Sequence, residues 1–242
     1  SAGAFEGVSG HVEVSDLLAM KSEPGQRLTI DKVTLGLPIE NGVIDFQLIG
    51  SQAIRLQHAE WPFVGGFIRV KPTDFAFAST AENVVVAQAV DWDLASLVKR
   101  FEIPDLKLQG KVGGDFPVVF SAGSAEIDNA VLAASGPGVI QYASSATDAA
   151  AQSEPTTGMV MDALKDFRFE VLKIGLDGNL AGAMILTLDM LGRNPAVMNG
   201  QAFQLNISID SELAKLVNSL AQSSDVRAIT GLQPGNGGGD RQ

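Results

Sequence analysis

Between Gln201 and Asp210 the chain reads Gln-Ala-Phe-Gln-Leu-Asn-Ile-Ser-Ile-Asp, apolar and polar side chains alternating almost without a break. Successive side chains of a strand project to opposite faces, so Phe203, Leu205, Ile207 and Ile209 share one face and Gln204, Asn206, Ser208 and Asp210 the other. A helix would scatter both sets around its axis. Similar runs recur along most of the chain, which predicts a mainly β fold whose strands each carry one apolar and one wet face. Whatever covers the apolar face then decides the function. It is either a second layer of protein or a ligand made of hydrocarbon.

The first third reads as strands broken by glycine turns. Leu28 and Ile30 are followed by Val33, Leu35 and Leu37, a phase slip at Asp31-Lys32 that predicts a bulge or tight turn. Asn41-Gly42 is a hairpin signal, and Ile44, Phe46 and Leu48 follow on one face. Val84–Val90 is a further strand. Leu106–Phe120 is another, bent at Gly113-Gly114, and Gly136-Pro137-Gly138 marks a strong turn. Phe167–Leu176 and Leu180–Leu191 form a predicted hairpin around Asp177-Gly178.

Three short helices interrupt this pattern. Leu94, Leu97, Val98 and Phe101 sit at i, i+3, i+4 and i+7, with Asp93 placed to cap the start and Pro104 forbidding continuation. A second helix puts Val160, Ala163, Leu164 and Phe167 on one side. A third carries Leu213, Leu216, Val217 and Leu220. Between them, 144–158 is small, polar and alanine-rich, a predicted flexible insertion.

Charge narrows the partners. With 28 acidic against 17 basic side chains the chain carries a net charge of −11. Nucleic-acid binding needs Lys and Arg to neutralise phosphates, and adhesion to anionic headgroups needs the same, so both are disfavoured. Any lipid contact would have to be apolar. The absence of cysteine excludes disulfides and thiolate metal sites. No apolar run reaches the roughly 18 residues of a membrane span. The chain opens at Ser1 on a strand-like segment, and is expected to be a piece of a longer protein whose anchor lies outside it.

Catalytic patterns are missing, so no catalytic residue, metal ligand or cofactor is assigned. His11 and His58 lie far apart in sequence, without companions at ligand spacing. There is no Gly-x-Ser-x-Gly elbow and no Walker-type loop. The stretch Gly110-Lys-Val-Gly-Gly-Asp115 imitates a phosphate loop only superficially. Asp91 and Asp93 flank Trp92 as a carboxylate pair would, but capping accounts for Asp93. Asn206-Ile-Ser208 matches a glycosylation sequon in the middle of a strand. A carbohydrate-binding or hydrolytic β-domain would call for clustered aromatics and carboxylates, and the chain has one tyrosine and two tryptophans.

A string of motifs carries more than any single one. A strand ending Asp91-Trp-Asp-Leu94 and a helix to Phe101 precede Leu108-Gln-Gly-Lys-Val-Gly-Gly-Asp-Phe-Pro-Val118. Ala125-Glu-Ile-Asp-Asn-Ala-Val-Leu-Ala-Ala134 and Pro137-Gly-Val-Ile-Gln-Tyr142 come next. Leu164-Lys-Asp-Phe-Arg-Phe169, Leu176-Asp-Gly-Asn-Leu-Ala-Gly182 and Gly192-Arg-Asn-Pro195 then lead into the last strand. In order and spacing, 84–220 resembles the C-terminal region of YdbH-like proteins, a branch of the AsmA-like/TamB superfamily of bridge-like lipid transport proteins. Homologues have also been labelled dicarboxylate transport proteins, for which no binding constellation is present.

The resemblance implies a long antiparallel sheet folded into a taco-like groove, with about three short helices. It implies one β-rich domain over 1–222, a groove segment (1–83) joined to a YdbH-like C-terminal segment (84–222), and then a disordered Gly-rich tail (223–242). It further implies a periplasmic location, an inner-membrane anchor outside this chain, and phospholipid acyl chains moving along the groove toward the outer membrane. A small outer-membrane lipoprotein is the expected partner, by strand addition. The residues expected to line the groove are Phe203, Leu205, Ile207 and Ile209, Met184, Leu186 and Leu188, and Phe167, Phe169 and Val171. The alternative is a closed β-sandwich that spaces or docks envelope partners and carries no lipid, its apolar faces packed on each other.

Overall fold

Among the described residues, sixteen strands belong to one open antiparallel sheet. The computed structural model describes residues 4–35, 37–77, 82–121, 124–143, 155–180 and 182–212. The first strands are β1 (Ala4–His11), β2 (Val14–Asp16), β3 (Lys21–Ser22), β4 (Gln26–Leu35) and β5 (Leu37–Gly50). Next come β6 (Ala53–Phe63), β7 (Gly66–Val70), β8 (Thr73–Ala76) and β9 (Asn83–Asp93), which leads into helix α1 (Leu94–Arg100). The strands β10 (Leu106–Gln109), β11 (Lys111–Ser121), β12 (Ser124–Ala134) and β13 (Gly138–Tyr142) precede helix α2 (Pro155–Leu164). The last three are β14 (Phe167–Asn179), β15 (Ala183–Arg193) and β16 (Phe203–Glu212).

The main path runs β1-β4-β5-β6-β7-β9-β11-β12-β14-β13-β10. It forks at β14. The second half of β14 pairs with β12 through Lys173–Asn179, and its first three residues pair with β13. The other edge of β14 carries β15, and β15 carries β16. The short strands β13 and β10 therefore continue the sheet beside the two helices.

Helix α1 forms where the sequence places it. The Asp93 carboxylate accepts from the Ser96 amide at 2.7 Å, the N-cap bond anticipated from the sequence, and Lys99 and Arg100 occupy the last turn. Leu94 is buried, and its amide donates to the Gly110 carbonyl at 3.0 Å. Helix α2 ends against Asn194, which is only 3% exposed. The Asn194 Nδ2 donates to the carbonyls of Asp162 and Ala163, both at 3.0 Å, and its Oδ1 accepts from the Ala196 amide at 2.8 Å. One side chain thus ties the last turn of α2 to the chain leaving β15.

Several sequence expectations shift. Asn41-Gly42 is not a hairpin: β5 runs straight through it, and the chain reverses between Leu35 and Leu37, which pair with each other. Asn41 takes a left-handed backbone at φ 60° without ending the strand. Gly42 is needed for contact, because a Cβ there would lie 1.9 Å from the Trp61 Nε1. Asp177-Gly178 likewise stays inside β14, paired to Ile127 and to Met184 at Gly178, so the turn falls after Asn179. The predicted strand over Leu106–Phe120 divides at Gly110, since β10 pairs with β13 while β11 pairs with β9 and β12. Residues 155–158 of the predicted insertion belong to α2, and Phe167 opens β14 rather than ending a helix. The bulge or tight turn predicted at Asp31-Lys32 does not form: β4 runs through it in constant register with β1 and β5, although Ile30 and Val33 are both buried. The third helix (213–220) and the tail (223–242) lie outside the described residues.

Removing the Asn194 amide takes the donor from the buried Ala163 carbonyl, while the Asp162 carbonyl keeps the Lys165 amide, a loss of about 1–3 kcal/mol. An Asn194→Ala variant is expected to lose stability by that amount in urea unfolding, with the slope of the transition unchanged.

Candidate functional site

The register of the ladders decides what the two faces of the sheet present. Trp61 pairs with Ile68, Ile68 with Ala89, and Ala89 with Gly114. Gly114 then pairs with Leu132, Leu132 with Ile174, Ile174 with Leu188, and Leu188 with Ile207. This is one transverse row across β6, β7, β9, β11, β12, β14, β15 and β16, without a charged member. At about 4.8 Å per strand it spans roughly 34 Å.

One residue along each strand, the opposite face reads differently. Glu60, Arg69, Gln88, Asp115, Val131, Gly175, Thr187 and Ser208 form the neighbouring row. Arg69 is ion-paired to Glu60, and Lys71 to Asp115, which also accepts from Gln88 at 2.7 Å. Arg27–Asp45 and Arg55–Asp74 are two-pronged cross-strand pairs of the same kind. Lys71 beside Asp115, and then Gln88, hold its carboxyl below the usual carboxylate range.

Burial of the apolar face is graded. Near the helices it is sealed: in the row Leu172–Met190–Leu205 the exposures are 3%, 0% and 9%. Phe167 and Phe169 are equally buried, with the Phe203 ring 5.5 Å from that of Phe167. A Cβ on Gly138 would lie 2.2 Å from the Phe169 Cζ, so the missing side chain admits the ring. Two residues further along β14 the burial relaxes over two rows, and it returns at Met184, 6% exposed, opposite Gly178. Every member of the rows Ile174–Leu188–Ile207 and Leu176–Leu186–Ile209 is only half-buried. The polar atom left over on this face is the Trp61 Nε1, the one buried side-chain nitrogen or oxygen without a partner among the described residues.

Of the ten residues expected to line a groove, nine share this apolar face. Phe203, Leu205, Ile207 and Ile209 are on β16, Met184, Leu186 and Leu188 on β15, and Phe167 and Phe169 on β14. Val171 does not join them. The ladder slips by one residue between Phe169↔Gly192 and Val171↔Leu191, and this bulge turns Val171 to the opposite face, 43% exposed. Leu172, Ile174 and Leu176 take over the inner positions. Met190 also belongs to the set, and its alternation with Leu188 was a readable signal; the bulge had none.

Catalytic alternatives gain nothing from the geometry. Asp91 takes φ 53° in a bulge where Val90 and Asp91 oppose Gly113, a backbone role. Among the described residues no group of three or more His, Asp or Glu side chains could hold a metal ion, and no helix is long and apolar enough to cross a membrane.

The depressed carboxylates set a pH dependence. A group whose pKa is lowered by folding stabilises the fold above its unfolded value, about 3.9, and loses that contribution as pH falls through the folded value. Asp115 is near half exposed, so its share is under about 1 kcal/mol. An Asp115→Asn variant is expected to unfold slightly more easily at pH 7 and to approach the parent as pH falls from 5 to 2, read by thermal melts across that range.

No curated protein and no solved structure matches the chain. A family model does, over residues 1–229, and that family is described as the intermembrane phospholipid transport protein YdbH. The match covers both the N-terminal third and the motif-bearing remainder, and on that ground the chain belongs to the YdbH-like family.

Proposed function

We propose that the apolar face of this sheet shelters phospholipid acyl chains in passage between the inner and outer membranes, as a periplasmic segment of a longer bridge. The observation that carries the reading is the pair of half-buried rows, Ile174–Leu188–Ile207 and Leu176–Leu186–Ile209, lying beside a sealed one. A closed core would bury these rows as fully as Leu172, Met190 and Leu205. Hydrocarbon gains about 0.8 kcal/mol per CH₂ on leaving water, so an acyl chain laid along half-covered aliphatics replaces a missing protein layer. It needs no polar recognition, which fits a face without charge. The chain acts by shelter rather than by catalysis.

The finer parts of the proposal follow the family. An inner-membrane anchor lies outside this chain, and β16, paired only with β15 among the described residues, offers backbone groups to a small outer-membrane lipoprotein by strand addition. The competing reading, a closed interaction module without cargo, draws on the sealed end, where Phe167, Phe169 and Met190 leave no room.

Mass spectrometry of organic extracts separates the two. The purified chain is expected to retain phospholipid, and Ile207→Glu or Leu186→Glu to lower retention at least tenfold, since tenfold is about 1.4 kcal/mol and a charge in an apolar wall costs more. Val171→Glu, on the opposite face, is expected to retain lipid as the parent does. An empty parent, or a folded Ile207→Glu variant that is fully loaded, would sink the lipid reading.

A further inference from the structure

The connection between β2 and β3 exposes the most hydrophobic surface of the described chain. Leu18 is 100% exposed and Leu17 76%, with Met20 beside them at 37%. This is not a loose loop. The Ala19 amide donates to the Asp16 carboxylate at 3.0 Å, which fixes the turn. At the base, Ser22 is buried: its Oγ accepts from the Leu48 amide at 2.8 Å, and its carbonyl accepts from Gln47 Nε2 at 3.1 Å. The hairpin joins the sheet through the single pair Lys21↔Ile49, next to the end of β5. It therefore stands out from the sheet as an arm on a pinned base, at the rim where β5 turns into β6. Phe77, 58% exposed, hangs from the same rim, its amide donating to the Gln52 carbonyl at 2.8 Å.

Two adjacent leucines, 100% and 76% exposed, cost free energy in water, and a partner that takes them out of it would stabilise the tip. Its chemistry narrows which. The patch is Leu17, Leu18 and Met20 with Val14 of β2, 39% exposed, all aliphatic or thioether side chains, with none of the Trp, Tyr or Arg anchors that dominate protein interfaces. It is also far smaller than the roughly 800 Å² a stable protein interface buries on each side. A bilayer asks for neither shape complementarity nor area: short apolar side chains need only reach the acyl boundary. Charge decides the kind of bilayer. From Glu13 to Glu23 the hairpin has one cation, Lys21, against three acids, Glu13, Asp16 and Glu23. Anionic headgroups would not attract it, so the matching surface is neutral or zwitterionic.

The geometry points to a membrane-inserting arm: Leu17, Leu18 and Met20 dip into a zwitterionic lipid surface and hold this rim of the sheet against it. The arm stands independently of whether the inner face carries acyl chains.

Flotation of the 242-residue chain with pure phosphatidylcholine vesicles tests it. The parent is expected to float with the vesicles at both low and high salt. A Leu17→Asp, Leu18→Asp variant, altered only at exposed positions, is expected to lose binding at least about tenfold. In a Leu18→Trp variant the new indole emission should shift to the blue when vesicles are added. A parent that stays with the buffer, as it would if the arm docks on protein, overturns the proposal. So does a double variant that floats like the parent, or binding that vanishes with salt. Loss of extractable lipid from Ile207→Glu with flotation unchanged would leave the arm standing on its own.

Discussion

The structure depends on register. An apolar row eight strands wide exists only because seven successive ladders keep Trp61, Ile68, Ala89, Gly114, Leu132, Ile174, Leu188 and Ile207 in line. A slip of one residue in any ladder would carry all the residues beyond it to the wrong face. The polar row behind it guards against that slip. The pairs Glu60–Arg69 and Asp115–Gln88 join side chains on adjacent strands, and each would be pulled apart by a shift of one residue. These exposed bonds contribute little to stability. Their value lies in discriminating among registers.

Bulges shape what register has aligned. Asp91 and Asn129 both take left-handed backbones, φ 53° and 49°, at the points where β9 slips against β11 and β12 against β14. An extra residue in one strand of a pair bends it and sharpens its twist. The Asn129 bulge is held by its own amide, which donates to the Asp177 carboxylate at 3.0 Å. Curvature of this kind lets a single sheet bring distant strands into one core, so that Ile30 of β4 and Leu205 of β16 belong to the same apolar cluster. Near the helices the curl closes on Phe167, Phe169 and Met190. Further along β14 it leaves aliphatic side chains half in water.

Alternation made most of this readable. The strand content, the Asp93 cap and the placement of Leu205, Ile207, Leu186 and Leu188 on a shared face all follow from side-chain period and local capping. What stayed hidden was non-local. Val171 carries the same local pattern as Phe169, and only the partner strand, one residue shorter across the bulge, sends it outward. Asn41-Gly42 has the composition of a hairpin, yet its glycine serves Trp61 on the next strand. Asn194 sits in the Gly192–Pro195 stretch, but its work for the carbonyls of α2 depends on a helix some thirty residues earlier. Short-range grammar fixes elements and faces, whereas bulges and caps are settled by what lies across the sheet.

From β4 to β12 the main path grips each strand by one neighbour on each side, with the short strands β3 and β8 added at β5 and β6. The backbone ladders there are local, while Ala59 and Trp61 of β6 share their core with Leu205 of β16. At β14 the path itself forks. One strand there holds β12 and β13 along one edge and β15 along the other, so its loss would free three strands together. β5 and β6 also hold three partners each, but β14 alone lies where the sealed and the half-open parts of the apolar face meet, so its loss would unmake that boundary as well.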